Sequence, residues 1–217
     1  MAANGKMQSL NHAIREAIPH MQSTARANPN VEVMIRSIRF SSGASWHQSQ
    51  ATPVESYNWT DLQSDGGSTD MAGAVKLATD ALNKLPAGRQ FPPVLCLVSD
   101  GMPDSIGAFE TRLAELKANP WGARAVRVAI GIGAEGTSRE GLEVLQKFVG
   151  NIELPVLAAN NAQDLVAMIR FVSTVVAETS SKPPSQTPGS GQPSAPSNAP
   201  LAAPPPTPTA SDPNLPW

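Results

Sequence analysis

Apolar positions follow two rhythms along the chain. In residues 6–21, Leu10, Ala13, Ile14, Ala17, Ile18 and Met21 share one face at helical spacing, and Pro29 lies beyond the end. VEVMIRSIRF, residues 31–40, alternates instead: Val31, Val33 and Ile35 point one way, and Arg36 and Arg39 hold polar phases, which predicts a strand. Ser41, Ser42 and Gly43 make a turn, and SWHQSQ reads as a short return strand. Residues 51–67 carry Pro53, Asn58, Asp65, Gly66 and Gly67 and read as a loop. A helix is expected over 69–85, with Ala74, Val75, Ala78, Leu82 and Leu85 inward.

The second half repeats the alternation of strand and helix. Residues 93–99 form a short continuous apolar run, as in a strand covered on both faces. Residues 105–118 are helical, with Ile106, Phe109, Leu113 and Leu116 on one side. AVRVAIGIG, 125–133, is a second buried strand, and 138–149 a helix closed by Gly150. ELPVLA, 153–158, is a last strand whose Pro155 points to a sheet edge, and 161–177 is a final helix. This order predicts an α/β fold with a mostly parallel sheet, in which ligands sit beyond the carboxyl ends of the strands.

Composition limits how far that pattern extends. Of 21 prolines, 12 fall after Ser180, where Lys182 and Asp212 are the charged residues. Such a stretch buries too little apolar surface to offset its ordering entropy, so a folded domain over 1–180 and a disordered Pro-rich tail over 181–217 are expected. In that tail Leu215 and Trp217 stand as apolar anchors on an extended tether. The net charge of −2 and the absence of Lys/Arg blocks argue against nucleic acid as a partner. No apolar run approaches the ~20 residues of a membrane span, and no leader precedes the first helix, so a cytoplasmic location is expected. The single cysteine, Cys96, excludes an internal disulfide and is expected to pack as a small core residue.

Two loops carry candidate chemistry. GGSTDMAGAV, 66–75, opens a helix, and LVSDGMPDS, 97–105, follows a buried strand. Thr69 and Asp100 offer a hydroxyl and a carboxylate, hard oxygen donors suited to Mg²⁺, Mn²⁺ or Ca²⁺. Each feature also has a plain structural reading: Ser68 or Thr69 as a helix N-cap, Asp70 in a first turn, Asp100 and Gly101 as a turn, Asp104 and Ser105 as a cap. A third loop, Gly131, Gly133 and Gly136, matches G-x-G-x-x-G and offers nucleotide binding or an enzymatic α/β domain as the alternative function. The acid that such a site wants lies poorly placed at Glu153. His12, His20 and His47 share no ligand spacing, and Ser99 lacks a nucleophile elbow, so no catalytic residue is assigned.

The loops 66–75 and 97–105 resemble the second and third metal-site loops of the von Willebrand factor type A domain, and the order of elements over 1–178 follows it. The nearer likeness is to short bacterial members associated with tellurite resistance. The resemblance implies a three-layer, Rossmann-like α/β fold and a metal-ion-dependent adhesion site. Thr69 would ligate the cation, Asp100 would act directly or through a water, and another protein's carboxylate would complete the coordination. It implies a non-enzymatic module, with phosphatase or kinase partners in a stress-signalling setting. The family's first loop, D-x-S-x-S at the end of an apolar first strand, has no counterpart here. The chain begins MAANGKMQSLNHAI, with Met1 where that motif's trailing Met would stand. An N-terminal shortening is therefore expected. Otherwise strand 31–40 pairs directly with strand 93–99, another chain fills the gap, or the module keeps a degenerate, purely structural metal site. With two of three loops, cation binding is expected to be weak.

Overall fold

The structure is a computed structural model and describes residues 5–27, 32–63, 67–86 and 91–181, with side chains to residue 175. Its elements run α1 (Lys6–Arg26), β1 (Met34–Phe40), β2 (Ala44–Pro53), a 3₁₀ turn (Val54–Ser56), α2 (Met71–Leu82), β3 (Val94–Ser99), α3 (Ile106–Ala118), α4 (Pro120–Arg124), β4 (Val126–Ile132), α5 (Gly133–Gly136), α6 (Arg139–Val149), β5 (Leu157–Ala159) and α7 (Ala162–Ser181). The expected α/β class holds. β3, β4 and β5 form a parallel sheet in that order, with β4 central and β5 at the edge.

Helix starts follow from local side chains. Asp70, Ser105, Asn119 and Ser138 each accept a hydrogen bond from a backbone N–H of the first turn that follows, at α2, α3, α4 and α6. At the far end of α6, Gly150 adopts φ 68°, the left-handed conformation that ends a helix without a Cβ penalty. Arg127 on β4 serves two helix ends at once. Its Nε donates to the Phe148 carbonyl at 2.7 Å and its Nη1 to the Gly122 carbonyl at 2.9 Å, so one cation meets the carbonyl ends of α6 and α4. Its partial burial lowers the guanidinium pKa from its ordinary value.

Helices cover both faces of the parallel sheet. On one, Phe109, Leu113 and Leu116 of α3 and Val144, Leu145 and Phe148 of α6 pack with Leu97 and Ala129. On the other, Leu10 and Ala13 of α1 and Leu165, Met168 and Val172 of α7 pack with Val128, Ile130 and Leu157. Two faces covered explain why β4 is buried at five consecutive positions and reads as an unbroken apolar run.

β1 and β2 form a separate antiparallel hairpin. Direct pairing of strand 31–40 with strand 93–99 is therefore overturned: among the described residues β1 pairs with β2 and β3 with β4. The two sheets face a common cavity of about 960 Å³. α2 runs under the hairpin, and α1 is held to the 57–62 segment by Asn11. Its Oδ1 accepts from Trp59 Nε1 at 3.0 Å and from the Leu62 N–H at 2.9 Å, and its Nδ2 donates to the Leu62 carbonyl at 2.9 Å.

Several boundaries move. β2 runs to Pro53, well past SWHQSQ, because Thr52 and Pro53 keep register with Ile35 and Met34 through a bulge. The last strand shortens to Leu157–Ala159, with Pro155 outside the ladder. α1 continues to Arg26 although Pro19 lies inside it. Asp65, Gly66, Val31 and the Pro-rich tail lie outside the described residues.

Candidate functional site

The C-terminal ends of β3 and β4 and the start of α2 meet at one rim. β3 ends in Ser99, whose buried hydroxyl donates to the Gly101 carbonyl at 3.2 Å and turns the chain away from the sheet. Asp100 follows directly. The Thr69 N–H donates to Asp104 Oδ1 at 2.5 Å, and the Asp104 N–H returns a bond to the Thr69 carbonyl at 3.1 Å. This reciprocal pair clamps the start of α2 to the loop after β3. The Asp70 N–H bonds the Ser41 carbonyl at 2.9 Å, which brings the end of β1 to the same rim.

Thr69 and Asp100 therefore lie on one side of the molecule, both lining one end of the cavity. A Cβ built on Gly101 would stand 3.8 Å from Thr69 Oγ1 and 3.7 Å from Glu135 Oε2. The Thr69 hydroxyl, the Glu135 carboxylate and the peptide adjoining Asp100 thus converge. Nothing local in the sequence marks Glu135, because it sits inside the G-x-G-x-x-G loop and is brought here only by the return of α5 over the end of β3.

Nor does local sequence mark Lys6. Its Nζ lies 3.4 Å from Asp100 Oδ2, with both side chains largely buried. It also crosses Gly133, where an added Cβ would come within 2.8 Å of the ammonium. Lys6 opens α1, whose first turn has no acidic residue. A cation at a helix N-terminus opposes the helix dipole, so the ion pair with Asp100 holds Lys6 there against that field.

The plain structural readings are partly realised. The cap of α2 is Asp70, whose Oδ1 accepts from the Gly73 N–H at 2.8 Å, so neither Ser68 nor Thr69 is consumed as a cap. Ser105 caps α3, while Asp104 is spent on Thr69. The glycines of the third loop have packing reasons. A Cβ on Gly131 would lie 2.1 Å from the Gly136 carbonyl oxygen, and one on Gly136 would lie 2.7 Å from that of Ser99. The chain folds back on its own backbone at this loop, which accounts for the motif without a phosphate.

The donor set is oxygen only: a hydroxyl and two carboxylates near the rim, one of them paired with an ammonium. Among the described residues, no group of three or more His, Cys, Asp and Glu side chains is arranged to hold a metal. Such a set suits a hard, loosely held divalent cation and does not suit zinc.

Cys96 corrects an expectation. It is not packed in the core but has accessible surface on the cavity. The surrounding walls still remove it from bulk water, and its thiol pKa is pushed up to about 12. His12 and His20 are exposed, as expected of α1's outer face. His47 stacks at a tilt on Trp59, with ring centroids 4.8 Å apart.

No family model matches the chain, and no curated protein is similar to it. Among solved structures, a zinc-occupied form of proximal thread matrix protein 1 from the mussel byssus, described as carrying a MIDAS motif, is similar over 75% of this chain at 15% identity and a TM-score of 0.49. The match spans 43% of that protein's chain. A likeness this slight carries no argument about chemistry. No helix among the described residues is long and apolar enough to cross a membrane.

Proposed function

We propose that the chain is a protein-interaction module of von Willebrand factor A type, whose partner meets the rim formed by Thr69, Asp100 and Glu135. The observation that carries this reading is the convergence at Gly101, where the loops after β3 and β4 and the start of α2 come together with their oxygen donors unspent on capping. Thr69, Asp100 and Glu135 would hold Mg²⁺ or a similar hard cation, which when bound offers a positive site to an acidic side chain of another protein.

The residues of this chain do the positioning. The Asp104 carboxylate fixes the Thr69 backbone, Ser99 fixes the turn that presents Asp100, and Lys6 supplies a standing positive charge beside it. The partner is a protein that offers a carboxylate, and a bacterial tellurite-resistance or stress-signalling setting with phosphatase or kinase partners is the narrower proposal. No proton transfer or covalent step is assigned to the rim, so the reading is of binding without catalysis. With few protein donors and an ammonium at hand, cation binding is weak.

Thermal melts in Mg²⁺, Mn²⁺ and EDTA test this. A rise in melting temperature with cation, lost in Thr69→Ala and Asp100→Asn, is the expected result. Identical melting in all three conditions overturns the metal site and leaves a structural module.

A further inference from the structure

The two ends of the fold carry opposite charge. At the rim, Asp104 and Ile106 stand at the start of α3, Glu135 reaches over Gly101, and Glu140 lies in the first turn of α6. Among the described residues, these three carboxylates have no cationic partner: Lys6 is committed to Asp100 and Arg139 to Glu143. The opposite end is basic. Lys84 follows α2, Lys117 and Arg124 close α3 and α4, and Arg127 lies at the start of β4. These residues form one surface. The Lys117 stem and the Arg127 guanidinium flank Gly150, at 3.7 and 2.8 Å from a Cβ built there. Arg127 Nη1 donates to the Gly122 carbonyl of α4, Arg124 lies 4.9 Å from the centre of the Trp121 ring, and Asn119 Nδ2 donates to Asn83 at the end of α2. None of the four cations pairs with a carboxylate of a described residue. Glu153, on the adjoining loop, offsets part of their charge. Exposed apolar side chains mark both ends: Ile106 is 41% exposed at the rim, and Ile152, two residues past Gly150, is 95% exposed at the basic end.

We propose that the basic end of one chain, tipped by Ile152, docks on the acidic rim of a second copy beside Ile106, so that copies associate head to tail. Within one chain the two ends cannot neutralise each other. The six residues of β3 span about 20 Å, more than twice the Debye length of ~8 Å at physiological ionic strength. Between copies the same charges come into contact range, where complementary potentials steer the approach and fix its orientation. Rim against rim, or basic end against basic end, sets like charges together and is disfavoured. Ile152 lies outside the core of its own chain and supplies an apolar anchor within the ring of cations. Because the two docked surfaces differ, each pair keeps one free rim and one free basic end, the arrangement that builds open chains of copies rather than a closed dimer. The inference does not rest on the cation reading. A divalent ion at the rim would lower its negative charge and weaken the contact, so the two readings are separated by working in EDTA.

The test is analytical ultracentrifugation of the full 217-residue chain in EDTA. At low salt the mean mass should rise with protein concentration, and the association should weaken at least about tenfold once salt shortens the Debye length to about 3 Å. Two variants leave Thr69, Asp100 and Glu135 untouched: a basic-end variant, Lys117→Glu with Arg124→Glu, and a rim variant, Ile106→Ser with Glu140→Lys. Each alone should sediment as a monomer, and their equimolar mixture should form a one-to-one dimer that grows no further, since one intact rim then meets one intact basic end. Ile152→Ser should weaken association about fivefold or more with an unchanged melting temperature, because the side chain it removes is exposed. Thermal melts confirm that every variant is folded. Three results overturn the proposal: a natural chain that stays monomeric at low salt, self-association that either charge variant leaves intact, or a mixture of the two variants that stays monomeric.

Discussion

Replacing Lys6 by methionine tests the electrostatics of the rim directly. The ammonium lies 3.4 Å from Asp100 Oδ2. A Mg²⁺ ligated by that oxygen sits about 2.1 Å from it, so at most about 5.5 Å separate the two cations while Lys6 stays in place. A doubly charged ion and an ammonium at that distance repel by about 1.5 kcal/mol even at the dielectric constant of bulk water. With both side chains largely buried, this is a lower bound for the undisplaced geometry. Lys6→Met should therefore tighten Mg²⁺ binding about tenfold or more. Methionine keeps the length of the stem over Gly133 and removes a cation from the N-terminus of α1, which the helix dipole disfavours. The fold should tolerate the change, as read by a thermal melt in EDTA. The assay is a Mg²⁺ titration by calorimetry or by melting temperature, on the natural chain and the variant. Equal affinities within twofold, with the variant folded, would refute the claim that Lys6 competes with a cation at Asp100.

Other outcomes follow from packing and burial. Phe109 is fully buried between α3 and the sheet, so Phe109→Ala should cost about 3–5 kcal/mol, read as a lower urea midpoint. Gly131→Ala places a methyl 2.1 Å from the Gly136 carbonyl oxygen. It should destabilise by about 1–3 kcal/mol without any nucleotide present; an unchanged melt combined with a loss of NAD or ATP binding would restore the dinucleotide reading. The Cys96 thiol, held at about 12 against an ordinary 9.0, should be alkylated with a rate that climbs about tenfold per pH unit from 8 to 11, where a plateau near pH 9 would contradict it. The sign for stability is fixed by the same shift. The folded state favours the protonated thiol, so its contribution is whole below pH 9.0 and fades as pH rises toward 12.

The parts of the fold legible in the sequence are those written in local periodicity. Val144, Leu145 and Phe148 declare α6, and the unbroken run from Val128 to Ile132 declares a strand covered on both faces. The extent of β2 was hidden, because Pro53 gives residues 51–53 the look of a loop, and only the pairing of Thr52 and Pro53 with Ile35 and Met34 across a register shift carries the strand on. Thr69 and Asp100 were legible as candidates, since oxygen donors after strand ends are local features. Glu135 and Lys6 were not: one arrives by a backbone return that only the glycine contacts explain, the other across 94 positions of chain. The exposure of Cys96 is illegible for a related reason. Its apolar neighbours specify a central strand, while its exposure depends on what occupies the space beside β3, which local sequence does not encode.

Arg127 joins regions that sequence order keeps apart. Because one side chain bonds the terminal carbonyls of both α4 and α6, neither helix frays at that end without straining the other. Amide exchange in the last turns of the two helices should thus share one opening event, and losing the guanidinium would split it into two independent ones.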